Sequence, residues 1–150
     1  MSEEREKSMT IHDYEHKTQY YETDQMGIVH HSNYIRWFEE ARTDVLEQIG
    51  LGYDEMERLG IVSPVTAVSC EYKTMTRYGE TVRIHVEVLK YDGVRLHLRY
   101  RIEDKATGEL RCTGESRHCF LHGGKPTSLQ RKYPEVDRLF RECLPAAEEA

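Results

Sequence analysis

The sequence predicts an α+β fold in which a curved antiparallel β-sheet wraps around one long central α-helix. Apolar residues recur at helical spacing between Ser32 and Ile49, and from Ile61 onward they alternate with polar residues at a period of two. Glycine-containing turns separate the alternating segments, which is typical of an antiparallel ladder. A sheet with one apolar face needs a cover, and the apolar stripe of the long helix can supply it.

The length and composition indicate one small globular domain spanning residues 1–150. At about 100–200 residues per domain, a chain of 150 residues leaves no room for a separate nucleotide-binding half. We expect polar, flexible tails at residues 1–9 and 145–150. The hydrophobic fraction of 38% makes the core lean. The net charge of −6 disfavours a protein that wraps nucleic acid, whereas a local basic cluster can still bind a small anion.

The four cysteines are widely spaced and form no C-x-x-C pair, which disfavours both a zinc site and a thioredoxin-type motif. Reduced thiols in the cytoplasm are the simplest interpretation. No apolar run reaches the roughly 20 residues of a membrane span, and the charged N-terminus lacks the apolar core of a signal peptide. We therefore expect a cytoplasmic protein with no membrane partner.

The first two elements are a strand and the long helix. Weak alternation predicts a strand over Ile11–Tyr21. The helix is predicted over Ser32–Ile49, with Ser32 or Asn33 as N-cap and Gly50 as the C-terminal stop. Its apolar positions are Tyr34, Ile35, Phe38, Ala41, Val45, Leu46 and Ile49. Because this spacing gives one apolar stripe, we expect the helix to form the centre of the core.

A short second helix and a series of strands follow. Asp54 and Glu57 stand in capping-box register, which predicts that a helix starts at Asp54. Two strands alternate on either side of an Asp92–Gly93 hairpin turn, and a third runs from Glu109 to Leu121. The inward residues expected on the first two are Val82, Ile84, Val86, Val88, Val94, Leu96, Leu98, Tyr100 and Ile102.

The last predicted element is a helix near the C-terminus. Pro134 is suited to the first turn of a helix, and Pro145 cannot continue one. The apolar face between them carries Val136, Leu139, Phe140 and Cys143.

The most unusual segment is Tyr20–Tyr34, which joins a carboxylate, a glycine turn, two histidines and a helix start. The N-terminus of a helix offers unpaired N–H donors and about half a positive charge, which together stabilise an oxyanion. Asp24 lies just upstream, on a loop that can return its carboxylate to the same point. A nucleophile or base beside a preorganised oxyanion donor is what an acyl-transfer site requires.

This segment resembles the signature of hotdog-fold acyl-CoA thioesterases of the 4-hydroxybenzoyl-CoA thioesterase type. Two adjoining runs carry the resemblance: Asp24-x-x-Gly27-x-Val29-x-His31-x-Asn33-Tyr34 and Phe38-Glu39-x-Ala41-Arg42. It continues as a pattern of strands to about Leu121. The resemblance implies hydrolysis of an acyl-CoA to a free acid and coenzyme A without a metal or organic cofactor. It also implies a homodimer or homotetramer with active sites at the dimer interface.

The resemblance assigns roles to individual residues. Asp24 would attack the thioester carbonyl or activate water, and the backbone N–H of His31 would polarise the carbonyl oxygen. Gly27 would make the turn, and together with Tyr34 it is assigned to substrate binding. The imidazole of His31 is a further catalytic candidate, at a position that relatives give to His or to an aromatic residue. A thioester has a good leaving thiolate, so a carboxylate can act without a Ser-His-Asp relay.

Simpler interpretations stay open for several of these residues. Asp24 could be only a turn residue, because Asp often precedes Gly in turns. His30 and His31 could be metal ligands, but adjacent histidines at a helix start do not easily chelate one ion. Glu39 and Glu40 could be solvated, or one of them could orient His31 or a water molecule.

Three basic residues lie near the Gly123–Gly124 turn and are candidates for the coenzyme A phosphates on charge alone. They are Lys125, Arg131 and Lys132. The arginine stripe expected on the solvent face of the sheet consists of Arg95, Arg99 and Arg101.

Two other functions remain open from the sequence. A hotdog acyl-chain dehydratase needs a different arrangement of His and Asp on the helix. A non-catalytic module that binds acyl-CoA or acyl carrier protein would keep the pocket but lack a competent Asp24. The combination of Asp24, Gly27 and His31 favours the enzyme.

Overall fold

The computed structural model describes residues 11–144, so the tails predicted at 1–9 and 145–150 and the helix stop predicted at Pro145 lie outside the described residues. The strands are β1 (Tyr14–Lys17), β2 (Ile61–Val62), β3 (Val65–Tyr72), β4 (Thr81–Tyr91), β5 (Arg95–Asp104), β6 (Leu110–Cys119), β7 (Leu121–His122) and β8 (Lys125–Pro126). The α-helices are α1 (Ser32–Gln48), α2 (Tyr53–Leu59), α3 (Leu129–Lys132) and α4 (Pro134–Arg141), and a 3₁₀ turn covers Tyr20–Glu22. Within this range no helix combines the length and apolar character needed to cross a membrane.

Five strands form one antiparallel sheet in the order β1-β4-β5-β6-β3, and β2, β7 and β8 form a small second sheet. The centre of the large sheet is the meander β4-β5-β6, which leaves β1 and β3 as its edges. Together with the long helix, this sheet confirms the predicted α+β class. The expected inward residues of β4 and β5 are buried, but Val94 is 41% exposed because it precedes β5 in the turn.

Helix α1 forms the centre of the core, as predicted. Trp37 and Ala41 are fully buried, and the ring of Phe38 stacks on that of Tyr100 at 4.3 Å between centroids. Gly114 on β6 makes this packing possible, because a Cβ there would lie 2.4 Å from the Phe38 ring. Most of the apolar stripe predicted from the sequence therefore faces the sheet. Ile35 was wrongly included in it, because this side chain is 40% exposed.

The two ends of α1 were predicted with different success. The helix begins at Ser32, but neither Ser32 nor Asn33 is its N-cap: the preceding residue, His31, already has helical dihedral angles and makes no side-chain cap bond. The N–H of Ser32 instead donates to Nδ1 of His30 at 3.2 Å. Gly50 follows the C-cap with a φ of +88°, which confirms the predicted stop.

Three other expectations were wrong in their boundaries. The first strand is limited to β1, because the chain enters the 3₁₀ turn soon after it. Helix α2 has Gly52 as its N-cap, so Asp54 is already inside the first turn and forms no capping box with Glu57. The strand predicted over Glu109–Leu121 breaks at Phe120, which is 1% exposed in the core, and the chain continues into the second sheet as β7.

The predicted hairpin turn and final helix are confirmed. Oδ1 of Asp92 accepts the N–H groups of Val94 at 2.9 Å and Arg95 at 2.8 Å. Gly93 has a φ of +91°, which favours glycine at that position of the turn. Helix α4 begins at Pro134, where a missing N–H leaves no hydrogen bond unmade.

Candidate active site

Asp24 lies at the start of a tight loop between the 3₁₀ turn and α1. Its Oδ1 accepts the N–H of Met26 at 2.8 Å and that of Ile28 at 3.4 Å, and its backbone oxygen accepts the N–H of Gly27 at 3.0 Å. Gly27 has a φ of +79°, as predicted for the turn residue. The loop thus orients the carboxylate through one oxygen, while Oδ2 has no hydrogen-bond partner among residues 11–144.

The Asp24 loop is fastened to the connection between β3 and β4. Val29 donates its N–H to the backbone oxygen of Thr76 at 2.8 Å, and Ile28 forms an antiparallel bridge with Arg77. The hydroxyl of Tyr34, in the first turn of α1, donates to Oγ1 of the same Thr76 at 3.0 Å. Thr76 is fully buried and therefore holds the loop and the start of the helix together.

A buried carboxylate lies two residues before Asp24. Glu22 is 4% exposed and accepts hydrogen bonds from the N–H of Gln19 at 2.8 Å, from Nε1 of Trp37 at 2.9 Å and from Nε2 of His16 at 2.9 Å. Burial alone raises the pKa of Glu22, but these hydrogen bonds outweigh it and hold the pKa below its ordinary value. Glu22 is thus an ionised anchor between the loop and α1.

The backbone of Glu22 also contacts the start of α1. Its oxygen accepts the N–H of His30 and Nδ2 of Asn33, each at 2.9 Å. Glu40, one of the carboxylates considered as a partner for His31, instead accepts hydrogen bonds from Tyr14 and His16 on β1. Glu40 therefore binds residues of β1 and not the His31 imidazole.

His31 immediately precedes α1, and its N–H has no acceptor among the described residues. The N–H is therefore one of the free donors at the positive end of a 17-residue helix. The imidazole is exposed and stacks on that of His30 at 4.2 Å between centroids. The hydroxyl of Tyr72, at the end of β3, reaches the His31 backbone oxygen at 3.4 Å.

Asp24, His31 and Tyr72 line one cavity of about 850 Å³, here called the Asp24 cavity. It lies within the range of about 300–1,000 Å³ typical of small-molecule sites. Its lining residues are Asp24, Met26, Ile28, Val29, His31, Tyr34, Tyr72, Lys73, Thr74, Met75, Arg77, Glu80, Glu109 and Arg111. Cations and carboxylates are balanced in this set.

Arg111 forms a neutralised wall of the Asp24 cavity. It is 6% exposed and pairs with Glu109 at 2.8 Å, Glu80 at 3.2 Å and Asp104 at 3.3 Å. A guanidinium surrounded by three carboxylates carries no spare charge for an anionic ligand, so this arginine has a structural function.

Two tyrosines give the cavity an aromatic side. The rings of Tyr34 and Tyr72 lie 5.4 Å apart between centroids. Burial, with a hydrogen bond to Cys70, raises the pKa of Tyr72 to about 12, and burial also raises the pKa of Tyr34. Both hydroxyls are therefore neutral donors near pH 7.

The structure brings together Asp24, His31 and Tyr34, with Gly27 in the loop that they share. The three basic residues proposed for the coenzyme A phosphates lie elsewhere, on β8 and α3, and do not line the Asp24 cavity: Lys125, Arg131 and Lys132. Of these, Lys132 contacts Nδ1 of His122 at 3.3 Å. Their link to coenzyme A stays a prediction.

The sequence reasoning missed Glu22 and Thr76, and it indicated Tyr72 only as an aromatic residue of the acyl pocket. Glu22 could have been found from the sequence, because a carboxylate in a turn before a helix often accepts nearby backbone N–H groups. Tyr72 and Thr76 come from a distant part of the chain, so only the strand pairing brings them to the loop.

The arrangement places a carboxylate with one free oxygen and a free helix N-terminal N–H on the same cavity. Such a pair can activate a nucleophile and stabilise a developing oxyanion. Across residues 11–144 no three His, Cys, Asp or Glu side chains are arranged to hold a metal ion.

Comparison with known proteins gives consistent similarities. A sequence profile of the thioesterase-like superfamily matches residues 18–139. The Bacillus subtilis protein YneP, whose name assigns it provisionally to the acyl-CoA thioesterases, is 36% identical over 121 residues, which are 79% of this chain and 87% of that protein. The acyl-CoA thioester hydrolase YbgC of Escherichia coli O157:H7 is 29% identical over 84 residues, 55% of this chain and 63% of that protein.

A solved structure shows the same fold at a comparable level of identity. The crystal structure of a DHNA-CoA thioesterase from Staphylococcus aureus superposes with a TM-score of 0.82 and 35% identity, covering 89% of this chain and 91% of that one.

Proposed function

The chain belongs to the thioesterase-like superfamily, and from that premise we propose that it is an acyl-CoA thioesterase that hydrolyses an acyl-CoA to a free carboxylic acid and coenzyme A. The observation that carries the proposal is that Asp24 and His31 line one cavity, and that the N–H of His31 has no acceptor among the described residues. The names of the relatives support the same reaction class.

In the proposed reaction the thioester carbonyl lies between Asp24 and the start of α1. The N–H of His31 donates to the carbonyl oxygen, and the helix dipole stabilises the negative charge that develops there. The hydrogen bonds from Met26 and Ile28 hold Oδ1 of Asp24, which leaves Oδ2 for the reaction. No metal or organic cofactor takes part.

Two routes are open to Asp24. As a nucleophile, Oδ2 bonds to the acyl carbon and the C–S bond breaks, which gives a mixed anhydride and the coenzyme A thiolate. Water then hydrolyses the anhydride and regenerates the carboxylate. As a general base, Asp24 instead takes a proton from water, whose oxygen attacks the acyl carbon, and the thiolate leaves with that proton.

We further propose that the enzyme is a homodimer formed through β3. This strand is an edge of the sheet, so one side of its backbone is unpaired. Val68 and Tyr72 pair with inward-facing positions of β6, yet they are 43% and 48% exposed. A second copy covering this face would bury both residues, and because Tyr72 contacts His31 it would also complete a wall of the Asp24 cavity. A homotetramer built from such dimers and a cytoplasmic location remain predictions.

The test is release of free thiol from a panel of short, long and aromatic acyl-CoA thioesters. Asp24→Asn keeps the shape of the side chain but cannot attack or accept a proton, so turnover should fall about 10²–10⁴-fold with an unchanged melting temperature. Asp54→Asn, an exposed carboxylate in the first turn of α2, is the matched control and should hydrolyse normally.

Two results would count against the enzyme. Near-normal turnover by Asp24→Asn would remove Asp24 from the mechanism. Tight binding of acyl-CoA by the wild type with no hydrolysis across the panel would favour the alternative of a non-catalytic module that binds acyl-CoA or acyl carrier protein.

A further inference from the structure

Two cysteines from different strands lie side by side in the large sheet. Cys70 on β3 is paired with Gly114 on β6, and Cys112 on β6 is paired with Tyr72 on β3. Paired residues project from the same face of a sheet, as do residues two positions apart, so the two cysteines are diagonal neighbours on one face. Their Sγ atoms lie 3.1 Å apart, and both thiols are free. Strand pairing therefore holds two reduced thiols in contact.

This contact is close to the geometry of a disulfide. A disulfide bond is about 2.05 Å long, so each sulfur would have to move by only about 0.5 Å. The other two cysteines, Cys119 and Cys143, make no thiol–thiol contact among residues 11–144. Only one pair in the described part of the chain is thus placed to form a bond.

The two thiols differ in exposure and in acidity. Cys112 is fully buried, whereas Cys70 is half-buried. A hydrogen bond from Cys112 lowers the pKa of Cys70; burial opposes this effect, and the hydroxyl of Tyr72 adds to it. The same contact with Cys70, together with burial, raises the pKa of Cys112. Cys70 therefore has more thiolate character, and the thiolate is the form that attacks an oxidant.

The cysteine pair lies beside the aromatic side of the Asp24 cavity. Tyr72 shares a hydrogen bond with Cys70, and its hydroxyl also reaches the backbone oxygen of His31 at 3.4 Å. The Tyr72 ring lines the cavity and lies 5.4 Å from that of Tyr34 between centroids. A change at the sulfur of Cys70 is therefore transmitted to the cavity wall through a single side chain.

The position of Cys70 also limits the size of the oxidant. It lies between Val68 and Tyr72 on the face of β3 that the proposed dimer would cover. The Asp24 cavity brings solvent as far as Tyr72, which is the neighbour of Cys70. Hydrogen peroxide, with only two oxygen atoms, is small enough to pass between these side chains.

We propose that hydrogen peroxide converts Cys70 and Cys112 to a reversible disulfide, and that this bond alters the Tyr72 side of the Asp24 cavity. The Cys70 thiolate attacks one peroxide oxygen and the O–O bond breaks, which gives a sulfenic acid and hydroxide. The hydroxide takes up the proton that Cys70 had released. The sulfur of Cys112 then bonds to that of Cys70, and its proton leaves with the sulfenic hydroxyl as water. The two thiols lose two electrons, and the peroxide is reduced to two molecules of water.

The first measurement is a peptide map of the wild-type protein, treated with hydrogen peroxide and digested with trypsin without a reducing agent. Trypsin cleaves on both sides of each cysteine and leaves them in separate peptides, 59–73 and 112–117. These peptides should be joined, with the mass of two hydrogen atoms lost, and dithiothreitol should separate them. Cys119→Ser is the matched control and should give the same cross-link.

Single variants test the order of the two steps. In Cys112→Ser the reaction should stop at the sulfenic acid of Cys70, which dimedone traps. In Cys70→Ser the thiol of Cys112 should stay unlabelled under the same conditions, because a buried, protonated thiol is a poor nucleophile. Labelling of Cys112 and not of Cys70 would contradict the proposed order.

The second measurement is affinity for an acyl-CoA, and this part rests on the proposed function. Asp24→Asn should bind the thioester without hydrolysing it, so calorimetry can compare its reduced and oxidised forms. Oxidation removes the Cys70 thiol as a partner of Tyr72, and the Kd should rise about 2- to 10-fold, the effect of losing one neutral hydrogen bond. Adding Cys70→Ser should abolish this change. That variant also controls for oxidation of the methionines in the cavity wall, Met26 and Met75.

Three outcomes would overturn the proposal. They are two unlinked cysteines after treatment with peroxide, a disulfide that joins two chains through Cys70, and a cross-linked protein whose affinity is unchanged. If the reduced protein bound no acyl-CoA, the proposed function and the effect on affinity would both fail. The peptide map decides the disulfide in either case, so the two failures are distinguishable.

Discussion

Nδ1 of His118 lies 3.0 Å from a guanidinium nitrogen of Arg42, and this contact fixes the protonation of a buried histidine. Arginine can only donate, so Nδ1 accepts and the proton sits on Nε2. Nε2 then donates to Oγ of Ser116 at 2.7 Å, and Ser116 shares a further hydrogen bond with the hydroxyl of Tyr100. The result is a neutral imidazole in a network under α1.

The first prediction concerns acid stability. Burial, with the charge of Arg42, lowers the pKa of His118 to about 4. In the unfolded chain the pKa is about 6.5, so below that value the unfolded state binds the proton first and stability falls as pH falls toward 4. Between pH 7 and 5 the free energy of unfolding should fall by about 2 kcal/mol more in the wild type than in His118→Gln. Urea unfolding at the two pH values checks this, with exposed His85→Gln as the control that should follow the wild type.

The second prediction concerns Glu22. The Glu22 carboxylate accepts three hydrogen bonds, and Glu22→Gln removes its negative charge. The free energy of unfolding should therefore fall by about 1–3 kcal/mol at pH 7. Because the folded state lowers the pKa of Glu22, its contribution is present above the ordinary Glu pKa and is lost as pH falls through the lowered value. The difference from the wild type should therefore shrink below about pH 4. Equal destabilisation by Glu57→Gln, an exposed residue of α2, would contradict this account.

The third prediction separates the amide of His31 from its side chain. If only the N–H acts, His31→Ala should lose less turnover than Asp24→Asn, because the amide and the helix dipole survive. His31→Phe should be at least as active, since a ring at this position can still pack against Tyr72. The measurement is turnover of both variants with the same acyl-CoA. Inactivity of both would show that the imidazole takes part in the chemistry.

The fourth prediction concerns the β3 edge. Val68→Lys places a charge on the exposed inner face of β3, so it should convert the proposed dimer to a monomer and lower turnover with it. Light scattering at micromolar concentration measures the mass. Val62→Lys adds the same charge at an exposed position of β2 and should leave the dimer intact. A wild-type monomer with full activity would remove the dimer from the proposal.

The parts of the fold governed by local pattern could be predicted from the sequence. The stripe from Tyr34 to Val45 and the alternation on β4 and β5 placed the helix, the sheet and their buried faces correctly, because period and face are set by neighbouring residues. The N-cap of α1 could not be predicted, since it is His31, whose side chain makes no cap hydrogen bond, and the N–H of Ser32 donates to Nδ1 of His30. The break at Phe120 also escaped, because this buried side chain continues the inward alternation of Ser116 and His118 and so gives no sign that the strand ends.

In the candidate site, too, the residues close in sequence could be predicted and the distant ones could not. Asp24, Gly27 and His31 are close in sequence, and their spacing alone indicated a loop folded against a helix start. Thr76 and Tyr72 reach the loop only through pairings across the sheet, which no short motif encodes. The anion site near Lys125 was inferred from charge alone and stays a prediction.

The Asp24 loop is ordered when the chain folds and not when a ligand binds. The bridge between Ile28 and Arg77 and the Val29–Thr76 hydrogen bond are responsible for this. Ordering one residue of backbone costs about 1–2 kcal/mol, and a loop that is loose before binding would subtract this from its affinity for every ligand. Here the same ordering accompanies folding, because Ile28 and Val29 are tied to the connection between β3 and β4. Loosening these ties would weaken affinity for every acyl-CoA alike, without changing the preference between one acyl group and another.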